Sequence, residues 1–307
     1  MRRTGRVAVA VAAILAATAA PSPVSAGGEP GPRDVHPSLR PSLIAYYDFD
    51  HPMRGDPALE QDQGRSSTEI ELVNGGAAMR VADRAYPGGG RVLQTRQVNP
   101  GGTGNDDWKA GVYSASGVRT LRAFNAVEGT TVLGWFKRHM DGPAAGFNAI
   151  GLAGVLTGDS DGHGVRALLE LIDVSGELKL VALGRRIDGG NSQTFAATED
   201  WRTLLPKDKW VHLTATFDFT KGTMALYRNG TAVPGSYTRN DDPWQINGPG
   251  PHVTTATDPR GIKIGGSFPQ NTLERNPCDC RMDALMFLDR SLSPREVANQ
   301  YRTMTRS

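Results

Sequence analysis

The stretch DSDGHGVRALLE, residues 159 to 170, falls near the register of a twelve-residue calcium loop. Asp159 and Asp161 take positions one and three, Gly164 position six and Glu170 position twelve, where such a loop needs carboxylates and a tight turn. His163 stands at position five, where another oxygen ligand is wanted. A helix–loop–helix site also needs helices on both flanks. The preceding AIGLAGVL is broken by glycines, and the following VRALLELIDV alternates like a strand. Inside a strand, Glu170 would stand about 20 Å from Gly164 at roughly 3.3 Å per residue, too far to share one ion. What remains is DSDGHG, an acidic turn between strands. It is either a plain turn or a calcium site built from Asp159, Asp161 and backbone carbonyls.

Other residues that could do chemistry are scattered. Trp108 in GNDDWKAG, Trp201 in TEDWRT and Trp244 in NDDPWQING stand beside acids and turn residues. Such rings suit stacking on sugars or protein contacts, and each also fits a loop plugged onto a core. Trp135 reads as core, whereas Trp210 fits either role. His212 could serve as a general base, but a histidine two places after a strand tryptophan fits a packed structural role better. His139 and His163 fall at loop or strand-end positions with no nucleophile motif nearby. No Gly-x-Ser-x-Gly, His-Glu-x-x-His or phosphate-cradling loop is present. Tyr227, His212 and Arg228 share a hairpin, yet Tyr227 and Arg228 point to opposite faces. The two cysteines, Cys278 and Cys280 in CDC, are left open between a tight disulfide and two free thiols. They do not make a structural zinc site alone, since zinc wants four ligands.

The bulk composition narrows the setting. Arg2, Arg3 and Arg6 followed by VAVAVAAILAATAA and the small-residue site VSA predict an export signal over residues 1–26. That apolar run is shorter than the roughly 20 residues of a membrane span. The paired arginines suggest twin-arginine export, although TGR after them matches that signal poorly. A released, extracellular product is expected, with no membrane span. Removing residues 1–26 takes three of the 34 bases and none of the 32 acids, leaving a net charge near −1. That balance excludes the basic surplus of a nucleic-acid binder.

These residues need elements to position them. GGEPGPRDVHPSLRP, residues 27–41, reads as a flexible leader. Beyond it come short alternating runs: SLIAYYDF, EIELV, TTVLGWFKR, AIGLAGVL, VRALLELIDV, ELKLVALGR, WVHLTATFDF, TMALYRNG and GIKIGG. The 37 glycines suit many tight turns. Val-Ser-Gly and Thr-Lys-Gly each separate two such runs, and Asn229–Gly230 suits a further tight turn. In WVHLTATFDF, Val211, Leu213, Ala215 and Phe217 form a core face, leaving Trp210, His212, Thr214, Thr216 and Asp218 on a face expected to be polar and wet. SLSPREVANQYRTM is the one clear helix, with Ser293 as N-cap, Pro294 at its first position and Glu296 completing a capping box. The expected class is all-β, a two-sheet antiparallel sandwich over residues 42–307 with a short C-terminal helix.

In their order, LIAYYDFD, TTVLGWFKR, KDKWVHLTATFDFTKGTMALYRNG, IKIGG and RMDALMFLDRSLSPREVANQY resemble the laminin-G-like jelly roll of the concanavalin A-like lectin/glucanase superfamily. The family's Phe-x-Gly step before the Asp of RMDALMF is replaced here by CDCR, and residues 51–125 match poorly. The resemblance implies either binding of glycans or protein surfaces, or polysaccharide hydrolysis or elimination, and the fold does not choose. A retaining hydrolase needs two carboxyls about 5–5.5 Å apart. Glu170 and Asp173, three apart on one strand, point to opposite faces, and Glu177 lies beyond the turn. Arg166 and Glu170 on the non-core face read as an ion pair or solvated charges. The expectation is therefore a secreted binding module for glycans or extracellular surfaces. A polysaccharide-degrading enzyme and a purely adhesive module are the alternatives, and the oligomeric state is left open.

Overall fold

All nine alternating runs become strands in the computed structural model, which describes residues 32–99, 106–143, 145–156, 165–185, 192–239, 258–266 and 276–306. Asp159, Asp161, His163 and Trp244 lie outside the described residues. In chain order the strands are β1 (Leu43–Tyr47), β2 (Pro52–Met53), β3 (Asp56–Glu60), β4 (Ile70–Val73), β5 (Arg80–Ala82) and β6 (Arg91–Gln94). Next come β7 (Lys109–Tyr113), β8 (Gly129–Arg138), β9 (Ala149–Leu156), β10 (Val165–Val174), β11 (Glu177–Arg185) and β12 (Ser192–Ala197). The last are β13 (Val211–Asp218), β14 (Thr223–Arg228), β15 (Thr231–Val233), β16 (Gly235–Tyr237), β17 (Gly261–Ile264) and β18 (Cys280–Leu288). Two helices join them, α1 (Trp201–Leu204) and α2 (Pro294–Thr305). No helix among the described residues is long and apolar enough to cross a membrane.

The described strands form an antiparallel jelly-roll sandwich. One sheet has the order β15-β14-β13-β8-β18-β6-β5, with β1 added beside β18; the other runs β16-β12-β11-β10-β9-β17-β7-β4-β3-β2. Period-two alternation explains the core between them. Val211, Leu213, Ala215 and Phe217 from β13 meet Leu169, Leu171, Ile150, Ile262 and Ile264 from the facing sheet, all essentially buried. The two-residue turns are also fixed by sequence. Ser175–Gly176 and Asn229–Gly230 all take positive φ, the turn whose twist matches the flanking strands.

The expected wet face of β13 is dry. His212 and Thr214 are fully buried and Thr216 is 4% exposed, because a second apolar layer covers that side of the eight-stranded sheet. Val297, Tyr301 and Met304 of α2 pack there against Trp135, Tyr227 and Met286. Ser293 Oγ accepts from the Glu296 amide at 3.4 Å and Glu296 Oε2 accepts from the Ser293 amide at 2.9 Å, so the predicted capping box anchors the helix. The leader, expected to be flexible to residue 41, is packed from Pro32 onward. Val35 and Leu39 are fully buried in this layer, and a short 3-10 turn spans Pro37–Ser42.

β18 changes partner along its length. Arg281 and Met282 pair with β6, whereas Leu285 to Leu288 pair with β1. A bulge between Asp283 and Met286, with Ala284 at φ 48°, marks the switch. Cys278 and Cys280, just before it, are joined by a disulfide and buried.

Candidate functional site

An open hollow of about 550 Å³ lies where the β10–β11 turn meets α1. Pro143, Leu178, Trp201 and Gly176 give it an apolar floor, and Glu177, Lys179, Thr198, Asp200 and Arg202 add polar groups. The tight Ser175–Gly176 turn sets the position of Glu177, and alternation along β11 returns Lys179 to the same face, 2.5 Å away as an ion pair. Asp200 is the N-cap of α1: its Oδ1 accepts the Arg202 amide at 2.8 Å. Capping orients the turn that drives Trp201 into the core and leaves Arg202 outside.

Trp201 is 2% exposed, so of the two roles its neighbours allow it takes the second, a ring plugged onto the core. The guanidinium groups of Arg138 and Arg202 lie 4.5 and 4.7 Å from its ring centroid. Arg138 is itself buried, which lowers its pKa, and it donates to the carbonyls of Leu205 and Met140. The indole thus joins a buried charge to an exposed one, and only its margin reaches the hollow.

Other sequence candidates stand apart from this place. Trp108 is half-buried, packs on the main core and carries the Arg96 guanidinium 4.3 Å over its ring. Trp210 lies beneath Lys137 Nζ at 4.8 Å, at the edge of the second apolar layer. His212 is packed, as expected of a structural residue, but not hydrogen-bonded through its ring: both nitrogens are buried without partners. Burial pushes its pKa down to about 3, which removes it as a base for surface chemistry near neutrality.

Glu170 is neither solvated nor part of a carboxylate pair. It lies 3% exposed on the outer face of the ten-stranded sheet, with Lys263 Nζ 3.8 Å from its Oε2. Gly151 faces it across the β9 ladder, and Gly154 faces Lys263, so small neighbours make room for this pair. Burial raises the Glu170 carboxyl, opposed by the Lys263 charge. Arg166, expected as its neighbour, has no described side chain.

The hollow's polar set was missed because no two of its key residues form a motif. The available signals were local: EDW as a cap-plus-helix start, and alternating Glu177 and Lys179 after a Ser-Gly turn.

Residues 111–298 match the family profile described as the concanavalin A-like lectin/glucanases superfamily. No curated protein matches the sequence. Among solved structures, the botulinum neurotoxin serotype D binding domain is 13% identical, over 86% of this chain and 52% of that one, with a TM-score of 0.51. Botulinum neurotoxin type C, whose cell entry depends on interaction with two ganglioside molecules, is 13% identical over 88% and 53%, at 0.51. A Trypanosoma rangeli sialidase in complex with 2,3-difluoro-KDN is 14% identical over 85% and 32%, at 0.51. The chain thus spans about half the length of the toxin chains and about a third of the sialidase. At these identities the structures share the fold. The family profile, which covers more than half of the chain, shows that this chain belongs to the concanavalin A-like lectin/glucanases superfamily.

Proposed function

We propose that the protein is a secreted, non-catalytic carbohydrate-binding module and that the hollow beside Trp201 contacts the glycan. The observation that carries this reading is the lining itself: two carboxylates, two cations and a hydroxyl ring an apolar floor in about 550 Å³ of open space. Carboxylates accept from sugar hydroxyls, Lys179 and Arg202 donate to hydroxyl and ring oxygens, and the floor receives a C–H face. Glu177 and Asp200 balance Lys179 and Arg202, which favours a neutral glycan. The ganglioside dependence of the type C toxin and the sugar derivative held by the sialidase support a glycan ligand on this fold.

Binding is favoured over hydrolysis by exposure. The side chains of Glu177 and Asp200 are 71% and 59% exposed and sit beside cations, unlike the desolvated acid that protonates a leaving group. Glu170 is desolvated, but it is beneath the surface and engaged by Lys263.

A glycan array and titration calorimetry on the full chain test the reading. Glu177→Gln and Arg202→Ala should each weaken binding about 10-fold, roughly 1–2 kcal/mol for a lost charged hydrogen bond. Asp200→Asn should weaken it similarly while keeping the cap, because asparagine caps as well as aspartate. Release of reducing ends or unsaturated sugars from a polysaccharide would overturn the non-catalytic assignment.

A further inference from the structure

The end of β1, the turn after it and the end of β3 bring three metal-ligating side chains together. Asp48, His51 and Glu60 each offer a ligand atom, and these atoms lie within 4.8 Å of one another. Two of the three are buried carboxylates, Glu60 completely and Asp48 to 8% exposure. The third is an imidazole whose side chain is 48% exposed, so the group opens to solvent on one side. Phe49, fully buried at φ 60°, turns the chain between Asp48 and His51. His51 Nδ1 meets Asp48 Oδ1 at 2.8 Å, and the His51 amide donates to Glu60 Oε1 at 3.1 Å.

The two carboxylates are held differently. Arg80 takes Glu60 Oε2, with Nε at 2.9 Å, and is itself fixed by donating to the carbonyls of Pro57 and Leu59. Glu60 is thus neutralised and oriented, with Oε1 left to the His51 side. Asp48 has no such partner: among the described residues no lysine or arginine pairs with it, and its Oδ1 accepts from the Asp50 amide and meets the His51 ring. With the ring neutral, two carboxylates against one guanidinium leave the group a single negative charge. An ion between Nδ1 and Oδ1 takes the place of the hydrogen there, and the ring keeps its one proton on Nε2. Ligand atoms about 2.1 Å from a tetrahedral ion stand roughly 3.4 Å apart, so a rotation of the half-exposed His51 side chain closes the group while Arg80 holds Glu60 in place.

We propose that Asp48, His51 and Glu60 form a site for one divalent cation, Zn²⁺ in preference to Ca²⁺, held by His51 Nδ1 and the two carboxylates with its remaining position open to water. Ca²⁺ wants an all-oxygen set of six to eight ligands. One imidazole with two carboxylates and a water is instead a four-coordinate set that suits Zn²⁺. The hydrogen bonds from Arg80 to Glu60 are the outer support that a ligating carboxylate needs. β1 belongs to the eight-stranded sheet, whereas β3 pairs with β2 at the rim of the ten-stranded one. The bound ion would therefore clamp one sheet to the other at that rim. This site is independent of the glycan reading and of the acidic turn at Asp159 and Asp161.

Calorimetric titration of ZnCl₂ into the chelator-treated full chain, with parallel thermal melts, tests it. One saturable site and a melting temperature raised by Zn²⁺ are expected, with Ca²⁺ weaker by about 10-fold or more. His51→Ala and Asp48→Asn should each weaken Zn²⁺ by about 10-fold or more, since even the loss of a ligand's supporting partner costs that much. Should Asp48→Asn fold poorly, His51→Ala decides, because its side chain is half-exposed: it should melt as the zinc-free parent does and gain nothing from Zn²⁺. The double variant His163→Ala/His252→Ala, which leaves the group intact, should bind as the parent does. Absence of a saturable site in the parent, equal affinity for the two ions, parent-like binding by His51→Ala, or loss of binding in that double variant alone would overturn the proposal.

Discussion

The two outer faces of the sandwich start from the same pattern and end differently. On β13 the alternation sets His212, Thr214 and Thr216 outward; on β10 it sets Leu168 and Glu170 outward. The first face is sealed by α2 and the N-terminal segment, which bury His212 against Trp135 and Tyr301 at ring distances of 5.3 and 5.8 Å. The second keeps a buried ion pair, Glu170 with Lys263, and the sheet's rim opens into the charged hollow. Polarity in an alternating strand therefore marks the side away from the main core, not the side that meets water. What covers that side decides whether its polar groups are silent, paired or available.

Three measurements would break or sharpen this contrast. The largest effect is expected at the ion pair. Glu170→Ala should cost about 3–5 kcal/mol in urea unfolding, because it strands a buried lysine, whereas Glu170→Leu combined with Lys263→Met should cost far less. Equal losses in both variants would show that the pair's charges are not what matters there.

The sealed face should respond to pH. His212 has a folded pKa of about 3, below its unfolded value near 6.5, so its neutral form stabilises the fold fully above pH 6.5. As pH falls from 6.5 toward 3, the unfolded state takes up a proton first, and stability should fall by about 1.4 kcal/mol per pH unit. Glu170 and Asp283, with raised pKa values, act in the opposite sense, adding relative stability as pH falls. The difference between the parent and His212→Phe isolates the histidine. That variant should be close to neutral at pH 7.5, since neither ring nitrogen has a partner to lose, and should gain on the parent steadily below pH 6.5.

The smallest effect tests the seal itself. Ser293→Ala should cost about 1 kcal/mol by removing the cap of α2. It should also raise hydrogen exchange of the β13 amides on the sealed face while leaving β10 and β11 unchanged.

Much of the architecture was legible in the sequence because its signals are local. Alternation fixed the nine strand segments, Ser-Gly and Asn-Gly fixed two turns through positive φ, and Ser293-Pro294 with Glu296 fixed the helix start. The short strands β2, β3, β5, β15 and β16, at or next to the sheet edges, were not legible as separate elements. At two to five residues they carry too little alternation, and they exist by pairing with longer neighbours. The acids flanking Trp201 left it open between a stacking ring and a plug onto the core, and the capped turn buries it. The hollow was hidden because Glu177 and Asp200 come from different elements.

The sequence by itself determined a β-sandwich with a capped closing helix, since periodicity, turn chemistry and capping act over a few residues. Only the tertiary structure decided which polar face is sealed and which acid meets a lysine. Glu170 and Lys263 lie far apart in the chain and come together only because β10 and β17 both flank β9. Long-range convergence of this kind is set by strand order, and strand order leaves no mark on the residues next to either partner.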